Sequence, residues 1–241
     1  MPTAPPSIPA DLRLYAIGDV HGRDDLLQLL LKKIDDDARA HKGPVRKVFL
    51  GDYVDRGLYS RQVIDRLIAL RDAEKEPPVF LLGNHEQVMR ELLRGRDGSI
   101  LEDWLRFGGR ETLLSYGVNP SSSGAGSGII SALRENMPPS HIDFIERLET
   151  FTTVGDYFFC HAGVKPGVEL DKQTEQDLIW IRYEFLSHKE PHGKIIVHGH
   201  TISPEPELRP NRINIDTGAY ATGRLTALAL EGSKRWLLQT K

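Results

Sequence analysis

Apolar residues recur along this chain with two different periods, and the alternation between them predicts its elements. LYAIG (14–18) reads as a buried strand. The stretch after it carries Leu27, Leu30, Leu31 and Ile34 at helical spacing. The pair then repeats. KVFLG (47–51) is followed by SRQVIDRLIALRD (60–72), whose Val63, Ile64, Leu67 and Ile68 share one helix face. VFLLG (79–83) is followed by EQVMRELLRG (86–95), which stops at Gly95. Three strand–helix repeats predict α/β layering with parallel neighbours.

Residues 99–150 change character and read as a mostly helical insertion. Trp104, Leu105 and Phe107 come early in it and Ile142, Ile145 and Leu148 late, with PSSSGAGSG (120–128) as a solvated connector. Trp104 and Phe107 read first as core. Strands resume at YFFCH (157–161), KIIVH (194–198) and INID (213–216). LTALALE (225–231) and RWLLQ (235–239) then form a hairpin around Gly232–Ser233. So strand-rich a second half predicts two packed sheets rather than one parallel sheet. The expected layout is a flexible proline-rich lead-in over 1–12 and one domain over 13–241, with the insertion at about 99–150.

Composition narrows the function classes. The 241 residues carry a net charge of −3, which gives no electrostatic case for a nucleic-acid partner. A locally positive site for a phosphorylated substrate remains compatible with it. MPTAPPSIPADLR lacks the apolar run of a secretory signal, and no apolar stretch approaches the ~20 residues of a membrane span. Cys160 is the only cysteine, so neither an intrachain disulfide nor a thiolate zinc cluster can form. These features predict a soluble cytoplasmic protein without a membrane partner.

The candidate chemistry lies where the strands end. YAIG leads into Asp19-Val20-His21-Gly22, VFLG into Asp52 and VFLLG into Asn84-His85-Glu86. YFFC leads into His161-Ala162-Gly163, and IIV into His198-Gly199-His200. Strand C-terminal ends of α/β sheets are where ligand crevices form, and glycine there lets the backbone turn tightly. Any one of these residues has an ordinary explanation: Asp19 as a turn residue, Asn84 likewise, His161 as a hydrogen-bonded core histidine. Their joint recurrence at predicted strand ends does not. Asp19, His21, Asp52, Asn84, His161 and one of His198 or His200 make six oxygen or nitrogen ligands. Six are too many for one tetrahedral zinc with an open position. They suit two first-row cations such as manganese, iron or zinc, sharing a bridging water and the bridging carboxylate of Asp52.

GDVHG (18–22), GDYVDRG (51–57) and GNHE (83–86), in this order, resemble the phosphoprotein phosphatase family, in its compact bacterial and phage branch. HAG (161–163), WIR (180–182), GHT (199–201) and DTGA (216–219) extend the resemblance over about 14–230. It implies a metallophosphoesterase fold, α/β in class, with two packed mixed β-sheets flanked by helices. It also implies two divalent cations, most simply manganese. Asp19, His21 and Asp52 would hold the first, and Asp52, Asn84, His161 and His200 the second. The GHT match selects His200, although His198, two residues away on an extended strand, would face the same side. In the same pattern Arg56, Arg182 and Asn84 would hold the substrate phosphate, with Arg182 resting on the looser WIR match. His85 would be the general acid, oriented by Asp55. Two other readings stay open: that Arg56 and Asp55 pair with each other, and that His85 is itself a ligand. Cys160, alternating with His161, points into the core.

The implied reaction is hydrolysis of phosphoserine or phosphothreonine in a phosphoprotein or phosphopeptide, by direct attack of a metal-bridging hydroxide. A related branch of the same fold hydrolyses dinucleoside polyphosphates such as diadenosine tetraphosphate. That branch tends to carry alanine in place of Asp55 and aspartate in place of Glu86, so both residues tilt the expectation towards a protein phosphatase. A promiscuous phosphoesterase and a phosphopeptide-binding pseudoenzyme complete the alternatives.

Overall fold

Side-chain alternation decides the layering. In β1 (Arg13–Ile17), Tyr15 and Ile17 face helices, while Leu14 and Ala16 face a second sheet. The computed structural model describes residues 5–96, 98–121 and 126–241. From β1 the chain runs through α1 (Asp24–Ala38), β2 (Val45–Phe49), α2 (Ser60–Ala73), β3 (Val79–Phe80) and α3 (Asn84–Leu93). β1, β2 and β3 pair in parallel, with Ile17 beside Phe49 and Phe49 beside Phe80. These are the three expected strand–helix repeats; α1 buries all four residues named from its periodicity and α2 buries Val63, Ile64 and Leu67, while Ile68 is only partly buried against the core.

The helical insertion comprises α4 (Gly98–Trp104), a π-turn at Leu105–Gly109, α5 (Arg110–Ser115), α6 (Gly126–Asn136) and α7 (Pro139–Glu146). Residues 122–125 of the expected connector lie outside the described residues. Next come β4 (Phe151–Val154), β5 (Tyr157–Cys160), α8 (Glu175–Trp180), α9 (Tyr183–Leu186), β6 (Ile195–His198), β7 (Glu207–Leu208) and β8 (Arg212–Asn214). α10 (Ala219–Thr222), β9 (Thr226–Glu231) and β10 (Lys234–Gln239) complete the chain. The first sheet has the order β10-β9-β1-β2-β3 and the second β4-β5-β6-β8-β7, and both mix parallel and antiparallel pairs. Between the sheets, Leu14, Val48 and Leu50 pack with Phe159, Val197 and Ile213. Cys160 alternates with Phe159 and joins the helix-facing core, as expected. No helix among the described residues is long and apolar enough to cross a membrane.

Two readings need correction, and two strands carry no sequence signal. The lead-in is anchored where it is described. Ile8 is buried between the sheets, and its N–H donates to the Gly232 carbonyl at 3.0 Å. Strands β4 and β7 went unread, because one is a half-exposed edge strand without clean alternation and the other spans two residues. Phe107 is not core: it is 58% exposed at the π-turn, whereas Trp104 beside it is buried.

Candidate active site

Each parallel strand of both sheets delivers its loop to one end of the sandwich. The loops after β1 and β2 are stitched together there. The Val20 and His21 N–H groups both donate to the Asp52 carbonyl, and the Gly57 N–H donates to that of His21. Only glycine fits at this contact, since a Cβ on Gly22 would lie 2.5 Å from the Gly57 carbonyl oxygen. Among the described residues, five non-glycine residues have left-handed φ: His21, Asp52, Asp55, Arg56 and His200. All five belong to the predicted site. At roughly 1–2 kcal/mol each they are costly, but a handful of buried aliphatic side chains, at roughly 1.5–3 kcal/mol each, offsets them.

Asp52 stands at the centre. Its Oδ2 lies 3.4 Å from His21 Nε2 and 3.5 Å from His161 Nε2. Two groups of facing ligand atoms share it: His21, Asp52 and His85 on one side, and Asp52, His161 and His200 on the other. His21 donates Nδ1–H to the Val54 carbonyl and His161 donates Nδ1–H to that of Leu50, each at 2.9 Å. Both rings are thereby left with a bare Nε2 turned inward, the arrangement that metal-ligating histidines use. Asn84 Oδ1 lies 3.0 Å from His161 Nε2 and 2.9 Å from His200 Nδ1. Asp19 joins through Oδ2, which accepts from the His200 N–H at 3.0 Å, while its buried Oδ1 finds no hydrogen-bond partner among the described residues.

The electrostatics call for cations. Asp19 is held well above the usual carboxylate range by burial, with the Asp216 and Asp52 charges adding to the effect. Burial likewise opposes the Asp52 charge, but the histidines around it, His161 foremost, hold its pKa below that range. Burial pushes His21 down to about 3 and His200 to about 2, so both are neutral, the form that binds metal. Buried carboxylates, neutral inward-facing imidazoles and the orphaned Asp19 oxygen fit a dinuclear centre.

His198 takes no part in it. The strand ends at His198, and the left-handed backbone at His200 breaks the alternation that predicted a shared face. The His198 ring lies edge-on to Phe185 and faces Arg212, whose guanidinium is 3.4 Å from Nε2.

Beside the centre, His85 Nδ1 is 2.6 Å from Asp55 Oδ2. The same oxygen accepts from Trp104 Nε1, and Oδ1 accepts from the Thr112 hydroxyl at 2.6 Å. Burial works against a charged His85. The Asp52 and Asp55 carboxylates outweigh it, and the pKa is pushed up to about 9. Arg56 does not pair with Asp55. Its guanidinium stacks over Tyr220 at 4.6 Å and approaches His85 Nε2 at 3.3 Å. Arg56, Asn84, His85 and Arg182 line one cleft of about 460 Å³, together with Trp104, Phe107 and Trp180. Tyr220 and Thr112 had no sequence signal. Trp180 lies within the WIR match, and its ring lines the cleft beside Arg182.

Glu86 has a role that sequence reasoning missed. Fully buried, it accepts hydrogen bonds from the backbone N–H groups of Asp52, Tyr53, Val54 and Gly83. Glu86→Gln sets an amide group against some of those donors, and we expect a loss of about 3 kcal/mol in urea unfolding. A loss below ~0.5 kcal/mol, the range of an ordinary surface change, would contradict this role.

Two groups of facing ligand atoms that share one carboxylate, beside a histidine and two arginines at the ends of paired sheets, fit a metal-dependent phosphoesterase. The chain belongs to the calcineurin-like phosphoesterase family, whose model matches residues 12–225. The asymmetrical bis(5'-nucleosyl)-tetraphosphatase PrpE of Anoxybacillus flavithermus is 28% identical over 233 residues, covering 88% of each chain. A solved structure provisionally assigned as a diadenosine tetraphosphatase superposes with a TM-score of 0.65 at 19% identity, covering 98% of each chain. A protein serine/threonine phosphatase from Saccharomyces cerevisiae superposes at 0.59 with 14% identity, over 96% of this chain and 80% of its own. At those identities the two structures attest the shared fold.

Proposed function

We propose that this protein hydrolyses dinucleoside tetraphosphates asymmetrically, to a nucleoside triphosphate and a nucleoside monophosphate. One observation carries the reading. The cleft that opens on Arg56, Asn84 and His85 is walled by Trp104, Phe107 and Trp180. Flat aromatic walls beside a phosphate site suit a nucleobase, since base–aromatic stacking is worth roughly 1–3 kcal/mol. The PrpE relatives point the same way. Asp55 and Glu86, which tilted the sequence reading towards a phosphoprotein, are both fully buried. Asp55 holds His85, and Glu86 holds the backbone of the Asp52 loop. Neither faces the cleft, so neither selects a substrate.

In this reading Asp19, His21 and Asp52 would hold one divalent cation, and Asp52, Asn84, His161 and His200 the other. When bound, the cations supply an activated water and neutralise phosphoryl charge. The Arg56 and Arg182 side chains clamp the phosphoryl oxygens, Arg56 leaving its place beside His85 as the substrate enters. With Nδ1 committed to Asp55, His85 keeps Nε2 towards the cleft, where it hands a proton to the departing oxygen. Trp104 and Thr112 fix the Asp55 carboxylate and through it the ring.

A second reading, phosphoserine or phosphothreonine hydrolysis, is favoured by the short His85–Asp55 contact, because an alkoxide leaving group needs a proton from a general acid and the contact keeps His85 protonated. Competition against p-nitrophenyl phosphate separates the two. If the cleft takes a base, AMP inhibits about tenfold more tightly than ribose 5-phosphate. Equal inhibition would remove the support for a nucleotide substrate.

A further inference from the structure

A second cavity, of about 740 Å³, adjoins the aromatic cleft, and the two share Arg56 and Phe107 in their linings. Its floor is the π-turn and the start of α5, which bring Arg106 and Arg110 to the same opening. Arg110 makes no ion pair among the described residues, and Arg106 reaches only Asp103, at 3.4 Å on the surface. Phe107 stands 58% exposed at the ridge, and Tyr220, which carries the Arg56 guanidinium on its ring, closes the far wall. Glu102 and Glu111 line the same cavity. Arg56, Arg106 and Arg110 thus bring three guanidinium groups to one opening beside an exposed aromatic ring, a set suited to a phosphate chain.

The shelf is also tied mechanically to Arg56. Gly108 has φ +114 and its carbonyl accepts the Arg56 N–H at 3.1 Å, while a Cβ on Gly108 would sit 2.4 Å from that nitrogen. The π-turn is therefore seated on the Arg56 turn, and Phe107 and Arg106 keep a fixed place relative to the phosphate site.

We propose that this shelf is a second nucleotide-binding subsite, so that a dinucleoside polyphosphate straddles Arg56 with one half in the aromatic cleft and the other across the shelf. Its furnishings match the parts of a nucleotide. Arg106 and Arg110 meet the phosphate chain beyond the attacked phosphorus. Phe107 offers a face to a base, with Tyr220 behind Arg56 as the far wall, and Glu102 and Glu111 offer acceptors to ribose hydroxyls. The inference rests on the dinucleotide reading above and extends it to the far half of the substrate.

The test compares the manganese-loaded wild type with the double variant Arg106→Ala/Arg110→Ala. Steady-state kinetics are taken on diadenosine tetraphosphate and on p-nitrophenyl phosphate, the latter also with ATP as inhibitor. The ratio of kcat/KM for the dinucleotide to that for p-nitrophenyl phosphate should fall about tenfold or more, through KM rather than kcat. An unchanged ratio, with the dinucleotide still hydrolysed, overturns the shelf and leaves the dinucleotide reading standing. If wild type does not hydrolyse the dinucleotide, that reading fails, and ATP inhibition decides the shelf separately. ATP inhibition weakened about tenfold in the variant keeps the shelf as a nucleotide site, whereas equal inhibition of both proteins removes it.

Discussion

Asp52→Asn should strip the protein of stably bound cations and, with them, of at least about a thousandfold in rate, or ~4 kcal/mol of transition-state stabilisation. The expectation follows from the position of one carboxylate. Its Oδ2 faces His21 on one side and His161 on the other, and both groups of ligand atoms include it. Asparagine keeps the volume and one oxygen, and so can still accept the His85 N–H that Asp52 Oδ1 accepts at 3.1 Å. What it loses is the negative charge between two cations. Metal content after gel filtration is the decisive readout because it does not depend on turnover. Wild type should retain two equivalents of manganese per chain and the variant less than one. A variant holding two equivalents with full activity would refute the bridge.

The second large effect is expected at His85 and should leave the metals in place. His85→Asn removes the ring held by Asp55 at 2.6 Å and should slow hydrolysis by about 10²–10⁴-fold. The loss should grow with the basicity of the leaving group. It should be smallest for p-nitrophenolate, larger for a nucleotide phosphate and largest for the alkoxide of phosphoserine. His85 Nε2 also lies close enough to His21 and Asp52 to complete a ligand group, so geometry alone leaves the ligand reading in play. Metal content separates the two: if His85→Asn loses a cation, the histidine is a ligand and the proton donor must be sought elsewhere. Loss of rate with both cations retained supports the donor role.

Much of this was legible in the sequence because the fold repeats one device. A parallel strand buried on both faces reads as an apolar run, and the glycine and polar residue after it mark its C-terminal end. Asp19, Asp52, Asn84 and His161 could therefore be placed without coordinates, and all four lie at the centre. The errors arose where backbone geometry departs from its regular period. His198 and His200 share one strand face on paper, but a left-handed residue at 200 turns the two rings apart. Phe107 looked like core by composition, and a π-turn with Gly108 at positive φ lifts it into solvent. Glu86 and Asp55 looked like substrate markers because their positions differ between related branches. Their actual partners, four backbone N–H groups for one and His85, Trp104 and Thr112 for the other, are contacts across the fold that no local pattern encodes. Tyr220 illustrates the same limit. It reaches Arg56 from 164 positions away along the chain (220 minus 56).

The substrate is the central claim, and it is tested most directly by initial rates on diadenosine tetraphosphate and on a phosphothreonine peptide, using one manganese-defined preparation with nucleotide products resolved by chromatography. The expected result is a kcat/KM for the dinucleotide about tenfold or more above that for the peptide, the worth of one stacked base. ATP and AMP should form in equal amounts, and chelation should abolish both. Peptide dephosphorylation at equal metal loading, with the dinucleotide left intact, would contradict the account and assign the same cations, arginines and histidine to a protein phosphatase.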